Sequence, residues 1–185
     1  SEVAAAYEAM DNTSKRLELT QILADLIAKT PNELVDKLIY LTQGKIHPDF
    51  MGIEVGLADR SVMRAIASTS GHSLKEVEKN YHHFGDIGSV AEDLLKTKGQ
   101  TTFFSEQLTV ERVYGVLDSI AKASGPGSLE LRLRLLNSIL ADASPKEARY
   151  ILRTATGKLR LGIADYTVLD ALAVAFTNDK SNRPK

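Results

Sequence analysis

T-G-K-L-R-L-G-I-A-D-Y-T-V-L-D-A-L-A, residues 156–173, sets the reading of the whole chain. Glycines 157 and 162 bracket a short basic turn, and Asp165 is placed to cap a helix running to about Phe176. A diverged copy lies upstream: Gly44-Lys45-Ile46, then an insertion, then G-L-A-D-R-S-V-M-R-A-I-A over residues 56–67. The flanks match as well. Ser14 pairs with Ser128, and Thr30-Pro31-x-Glu33 with Ser144-Pro145-x-Glu147, both at an offset of 114, while Gly44-Lys45 pairs with Gly157-Lys158 at 113. The register therefore holds across three helical segments, and the expectation is an internal duplication with copies at about 14–67 and 128–173.

Helix signals fill the rest of the chain. Ser14 is placed to cap a helix carrying Leu17, Ile22, Leu23, Leu26 and Ile27, and Thr30-Pro31-Asn32-Glu33 reads as a capping box opening a helix to about Thr42. Asp59 is expected to cap a helix that Gly71 ends, and Ser73-x-x-Glu76 is a further capping box. Gly85-Asp86-Ile87-Gly88-Ser89 reads as a turn feeding a helix from about Val90 to Lys96. Thr109 starts a helix that Gly125-Pro126-Gly127 stops, and Ser128 is expected to cap the next, with Leu129, Leu133, Leu136 and Leu140 toward the core. Ser144-Pro145-Lys146-Glu147 is another capping box with proline in the first turn. No alternating strand pattern occurs. The fold class expected is all-α: a compact multi-helix domain over residues 1–176 with a pseudo-two-fold duplication, and a tail at 177–185 whose apolar pattern has lapsed.

Composition narrows the functions. The chain has 185 residues, 43% hydrophobic and 25% charged, the balance of a globular protein. No apolar run approaches the length of a membrane span, and the first ten residues carry acids but no basic leader, so an intracellular setting, cytoplasmic or nucleoid-associated, is expected. The absence of cysteine removes thiolate catalysis, disulfides and cysteine-ligated zinc. Net charge is −1, but it is unevenly spread: the first 100 residues carry −4 and the last 85 carry +3. His82 and His83 are adjacent and cannot share a helix face, and His47 and His72 have no ligand-spaced partner. Asp118, Glu130 and Asp142 read as solvated faces, and no nucleophile–base pairing is visible. No catalytic site and no metal site are expected in this chain.

The basic turns carry the candidate binding chemistry. In G-K-L-R-L-G, alternation sends Lys158 and Arg160 to one side and Leu159 and Leu161 to the other, beside backbone N–H groups that glycine leaves open. Such a turn suits phosphate, although alone it would read as a helix connector with solvated charges. The repetition of Gly-Lys at Lys45 favours function. It is not a nucleotide P-loop, because the G-x-x-x-x-G-K-[ST] spacing fails. Helix starts at Ser14-Lys15-Arg16, Gly88-Ser89 and Gly127-Ser128 offer unpaired N–H donors, as ordinary caps also do. A helical unit used twice with a basic turn in each copy suits a roughly two-fold target, and duplex DNA presents one. The alternative is a helical protein-interaction module with solvent-facing connectors and no DNA binding.

Several of these strings together resemble the N-terminal DNA-binding domain of ATP-dependent DNA ligases of the archaeal and eukaryotic type. They are G-P-G-S-L-E-L-R-L-R-L-L, S-P-K-E-A-R-Y-I-L-R and G-K-L-R-L-G-I-A-D-Y-T-V-L-D-A-L, supported by S-K-R-L-E-L and G-D-I-G-S-V-A-E. The resemblance covers essentially the whole chain, and its compactness favours an archaeal member. It implies an all-helical, pseudo-two-fold domain that binds the minor groove on both sides of a nick. It also implies DNA contacts at Gly157, Lys158, Arg160 and Gly162, and a second contact at Gly127-Ser128. The parent activity would be ATP- and Mg2+-dependent nick sealing in replication, repair and recombination, through catalytic domains absent from this chain. The K-x-D-G string of the adenylated lysine does not occur. Finally, Gln100-Thr101-Thr102-Phe103-Phe104 resembles the shortened motif by which archaeal ligases bind a PCNA-type sliding clamp. Gln100, Phe103 and Phe104 are the expected contacts, where the residues alone allow equally a loop pinned to its own core.

Overall fold

The computed structural model describes residues 1–96, 106–179 and 181. Every regular element among them is helical: α1 (Glu2–Asp11), α2 (Arg16–Ala28), α3 (Val35–Thr42), α4 (Asp59–Ser70), α5 (Leu74–Phe84), α6 (Ile87–Lys96), α7 (Val110–Lys122), α8 (Ser128–Leu140), α9 (Pro145–Ala155) and α10 (Asp165–Thr177). The chain is all-α, as its periodicity implies. Short 3-10 turns at Asn32–Leu34 and Asp49–Met51 complete the order. The 45–55 insertion thus holds a short turn of its own after Pro48, while Gln100, Phe103 and Phe104 lie outside the described residues.

The described residues fall into two compact units, Ser1–Gly44 with Arg160–Lys185, and Lys45–Leu159. In the first, α2 packs along α10 and against α1. Leu23, Ile27, Leu38 and Met10 are essentially sealed from solvent there. The Tyr7 hydroxyl is buried with them, 3.0 Å from Thr42 Oγ1. Burial pushes that phenol's pKa up, against the smaller opposing effect of the threonine. In the second unit, α6 packs on α9, α7 on α8, and α4 on α5, α6 and α8. Val62, Ile66, Val77, Ile87, Leu117, Ile120, Leu136, Ile139 and Leu152 form its core.

Local chemistry explains most boundaries. The Ser73 and Ser144 boxes form in full: each serine oxygen accepts from the backbone N–H three residues on, and Glu76 and Glu147 reach back to the cap. Thr109 caps α7 by accepting from the Arg112 N–H. Other expected caps are displaced. Ser14 does not cap α2. Lys15 holds the cap position without a side-chain bond, and the Thr13 hydroxyl accepts from the Lys15 N–H. Asp59, Ser128 and Asp165 are each the first helical residue, one position inside Ala58, Gly127 and Ala164. The Thr30 box does not form. Pro31 sits at φ −53°, ψ 137° before a 3-10 turn, and the Thr30 hydroxyl donates back to the Leu26 carbonyl at 2.8 Å. On α8 the buried stripe is Leu136, Ile139 and Leu140, whereas Leu129 is exposed. The first helix, α1, is not among the elements expected from the sequence, although Ser1 caps it by accepting from the Ala4 N–H and Ala4, Tyr7 and Met10 recur at helical spacing on its buried face.

Candidate nucleic-acid interface

The turn after α9 is built by glycine. Gly157 adopts φ +67°, and the Lys158 N–H closes on the Arg153 carbonyl at 2.7 Å, the six-to-one bond of a Schellman end. Beyond it burial alternates as the sequence requires: Leu159 and Leu161 are 3% and 4% exposed, whereas Lys158 and Arg160 are exposed. Gly162, at φ +72°, follows, with Leu19 Cδ1 3.5 Å from where a Cβ would sit.

Lys15, Arg16, Lys45 and Lys158 are each held by a carboxylate. Lys158 Nζ donates to both Asp59 oxygens at 2.7 and 2.6 Å, and the Tyr81 hydroxyl donates to Asp59 Oδ2 at 2.7 Å. The ammonium also stands 6.0 Å from the Tyr81 ring centroid. Partial burial works against the charge on Asp59, yet the bonds from Lys158 and Tyr81 outweigh it and hold the carboxyl below its usual range. The Asp59 hydrogen bond in turn raises Lys158, which stays protonated. Lys45 pairs with Asp49 at 2.5 Å inside its own loop. Lys15 pairs with Glu18 at 2.9 Å. Arg16 pairs at 2.7 Å with Asp170, which is only 4% exposed. Asp59 and Asp170 are the residues that sequence reasoning missed. A signal for the first existed: G-L-A-D and G-I-A-D each deliver an aspartate to the start of a helix after a basic turn. Asp165, which ends G-I-A-D as Asp59 ends G-L-A-D, accepts from Gln43 Nε2 at 2.9 Å.

The helix starts divide. Gly127 takes φ +78° and caps α8 without a side-chain bond; the Ser128 N–H donates to the Gly125 carbonyl at 3.2 Å, which leaves the N–H groups of Leu129 and Glu130 at an exposed end for a ligand. Gly88 and Ser89 are different. They lie within the first turn of α6, because Asp86 takes the cap role, accepting from the Ser89 N–H at 2.8 Å and from its hydroxyl at 2.7 Å. Gly88 is buried where α6 crosses α9; a Cβ there would stand 2.6 Å from the Arg149 carbonyl oxygen. Its glycine is explained by close packing. Arg153 closes the same joint with a two-nitrogen clasp on Asp86 at 2.9–3.2 Å. Burial opposes ionisation of Asp86, but Arg153 and Ser89 overcome it and bring the carboxyl to about 2.

Comparison with known proteins decides what these turns belong to. The sequence model of the family described as DNA ligase N terminus matches residues 1–173. The chain belongs to this family. It is 48% identical over 185 residues to a DNA ligase of Cenarchaeum symbiosum, covering 100% of this chain and 31% of that protein. It is 49% identical over 181 residues to a DNA ligase of Nitrosopumilus maritimus, covering 98% of the chain and 31% of the relative. Against DNA ligase 2 of Thermofilum pendens it is 50% identical over 190 residues, with 99% and 32% covered. The chain thus spans about a third of the length of these curated archaeal relatives. Among the described residues no helix is long and apolar enough to cross a membrane.

Proposed function

We propose that the chain is the part of a DNA ligase that grips nicked duplex DNA, chiefly by its backbone, for a catalytic core elsewhere in the parent protein. Family membership supports the ligase setting. The observation that carries the DNA-binding reading is the G-K-L-R-L-G turn, whose buried leucines and positive-φ glycines fix two exposed cations and the backbone between them. Contacts of this kind reach phosphate and sugar, so sequence preference should be slight. Lys15, Arg16, Lys45, Lys158 and Arg160, with the Gly127-Ser128 helix start, are the residues assigned to it. A phosphate can replace the carboxylate that holds each paired lysine.

The parent reaction, ATP-dependent sealing with a divalent metal, would lie on residues outside this chain. The sequence has no K-x-D-G string, and among the described residues no three His, Cys, Asp or Glu side chains converge as metal ligands. These residues fit neither nucleotide nor metal, and no chemical step is assigned to them. Sliding-clamp docking through Gln100, Phe103 and Phe104 is part of the same proposal and stands on the motif alone.

A fluorescence-anisotropy titration of the chain on nicked and intact duplex across salt tests the reading. Clamping about six phosphates gives a log–log slope near −5 and preference for the nick. A shallow slope with no saturable binding would contradict it and favour a protein-interaction module.

A further inference from the structure

The turn lysines are ion-paired, whereas three arginines of α4 and α8 are not. Arg60, Arg64 and Arg134 are exposed, and none makes an ion pair or hydrogen bond with any described residue. Arg60 and Arg64 stand four apart on α4, so they share a face with no carboxylate between them, a like-charge arrangement that costs stability unless something answers it. α4 packs on α8, and Arg64 and Arg134 line one open depression of about 430 Å³ between the two helices. Its lining includes apolar Ala65 and Leu133, and Asn137, whose side-chain oxygen accepts from Thr69 at 3.4 Å. Glu130 lines it too, four residues before Arg134 yet without an ion pair to it, so the local charge is opposed but stays positive.

We infer that Arg60, Arg64 and Arg134 form a second phosphate-binding tract, which takes the sugar–phosphate backbone of the duplex alongside the Lys158 turn. Guanidinium is suited to this because its planar fork bonds two phosphate oxygens at once. Position supports the occupant. Arg134 lies seven residues, or two turns, beyond Gly127 on the same face of α8, about 10 Å along the axis from that helix start. Arg60 and Arg64 follow directly on Asp59, which holds Lys158. Each strand of a duplex offers a phosphate every 3.4 Å or so of its axis, so a run of this length spans several. The tract rests on the DNA-binding reading and extends it to residues that neither turn contains.

The test is Arg64→Ala/Arg134→Ala in the 185-residue chain, titrated on the same nicked duplex beside wild type and Lys158→Ala/Arg160→Ala. The arginine variant should melt as wild type does, because both side chains are exposed. Its salt slope should fall by about two, with affinity lost by roughly tenfold to a hundredfold at 0.1 M salt. Arg64→Lys/Arg134→Lys should recover most of the slope, and Glu130→Gln should tighten binding. A folded arginine variant that binds as wild type, while the turn variant is weakened, overturns the tract and leaves the reading intact. A wild-type chain that fails to bind duplex overturns both. If the alanine variant unfolds, Glu130→Gln and Arg64→Gln/Arg134→Gln still decide: binding and salt slope unchanged from wild type in both, each folded, refutes the tract.

Discussion

The two helix–turn segments at Val35–Gly44 and Pro145–Gly157 end on similar glycine turns but are built with unequal care. Gly44 and Gly157 take the same left-handed conformation, φ +74° and +67°, and each N–H closes on the carbonyl three residues back, Leu41 and Thr154, at 3.0 Å. The stretches before the following helices also agree: Ala58 and Ala164 are both extended cap residues, and each carbonyl accepts the same two N–H groups, from Ser61 and Val62 and from Thr167 and Val168. The difference lies in the supports. α9 has eleven residues, a complete capping box, the Asp86–Arg153 clasp and the Gly88 crossing. α3 has eight, preceded by a 3-10 turn with no side-chain cap. The lysines differ likewise: Lys45 is closed by Asp49 four residues away, Lys158 by Asp59 from 99 residues away. The turns agree in local backbone geometry and differ in their anchoring.

If α9 is the better anchored helix, damage to its joint should be the most costly change. Gly88→Ala drives a methyl against the Arg149 backbone, which cannot swing aside, and should cost about 3 kcal/mol, roughly 6–12 °C in Tm. Calorimetry giving a Tm within about 2 °C of wild type would remove the close crossing from the account.

Asp86→Asn should cost less, about 1–2 kcal/mol, since the pair is partly exposed and screened. Its pH signature is more specific. The folded carboxyl titrates near 2, below its unfolded value of about 4, so its stabilisation is present above pH ~4 and lost as pH falls toward 2. Urea denaturation of wild type between pH 5 and 2 should show this loss. The asparagine variant should be flatter over that window, and parallel curves would contradict the clasp.

The smallest effect contrasts the starts of the two helices. Ser144→Ala removes a formed capping box and should cost about 1 kcal/mol. Thr30→Ala, at the matching position, removes only a bond to Leu26 and should stay within about 0.5 kcal/mol. Equal losses would mean that α3 and α9 begin alike after all.

These contrasts also mark what could be read from residues in order. Ser73, Thr109 and Ser144 announce their helices because each cap and the backbone N–H it accepts from lie within one turn. Thr30 misleads because Pro31 admits an extended conformation before a 3-10 turn, so a matching string starts a different structure. The alternation of Lys158-Leu159-Arg160-Leu161 is legible since period two survives wherever one side is buried. The pairings are not legible, even where the position of Asp59 at a helix start is: Asp59 meets Lys158 and Asp170 meets Arg16 across 99 and 154 residues, and only the packed helices bring them together. Gly88 likewise gives the same sequence signal as a helix start and as a crossing point, and burial alone separates them.

The claim that both turns serve one duplex is tested most directly by hydroxyl-radical footprinting of the chain on a nicked duplex, with wild type beside Lys45→Ala and Lys158→Ala/Arg160→Ala. The account expects wild-type protection on both sides of the nick, with the first variant losing one flank and the second the other. Protection confined to one flank, indifferent to Lys45, would contradict it and leave the first turn as structure alone.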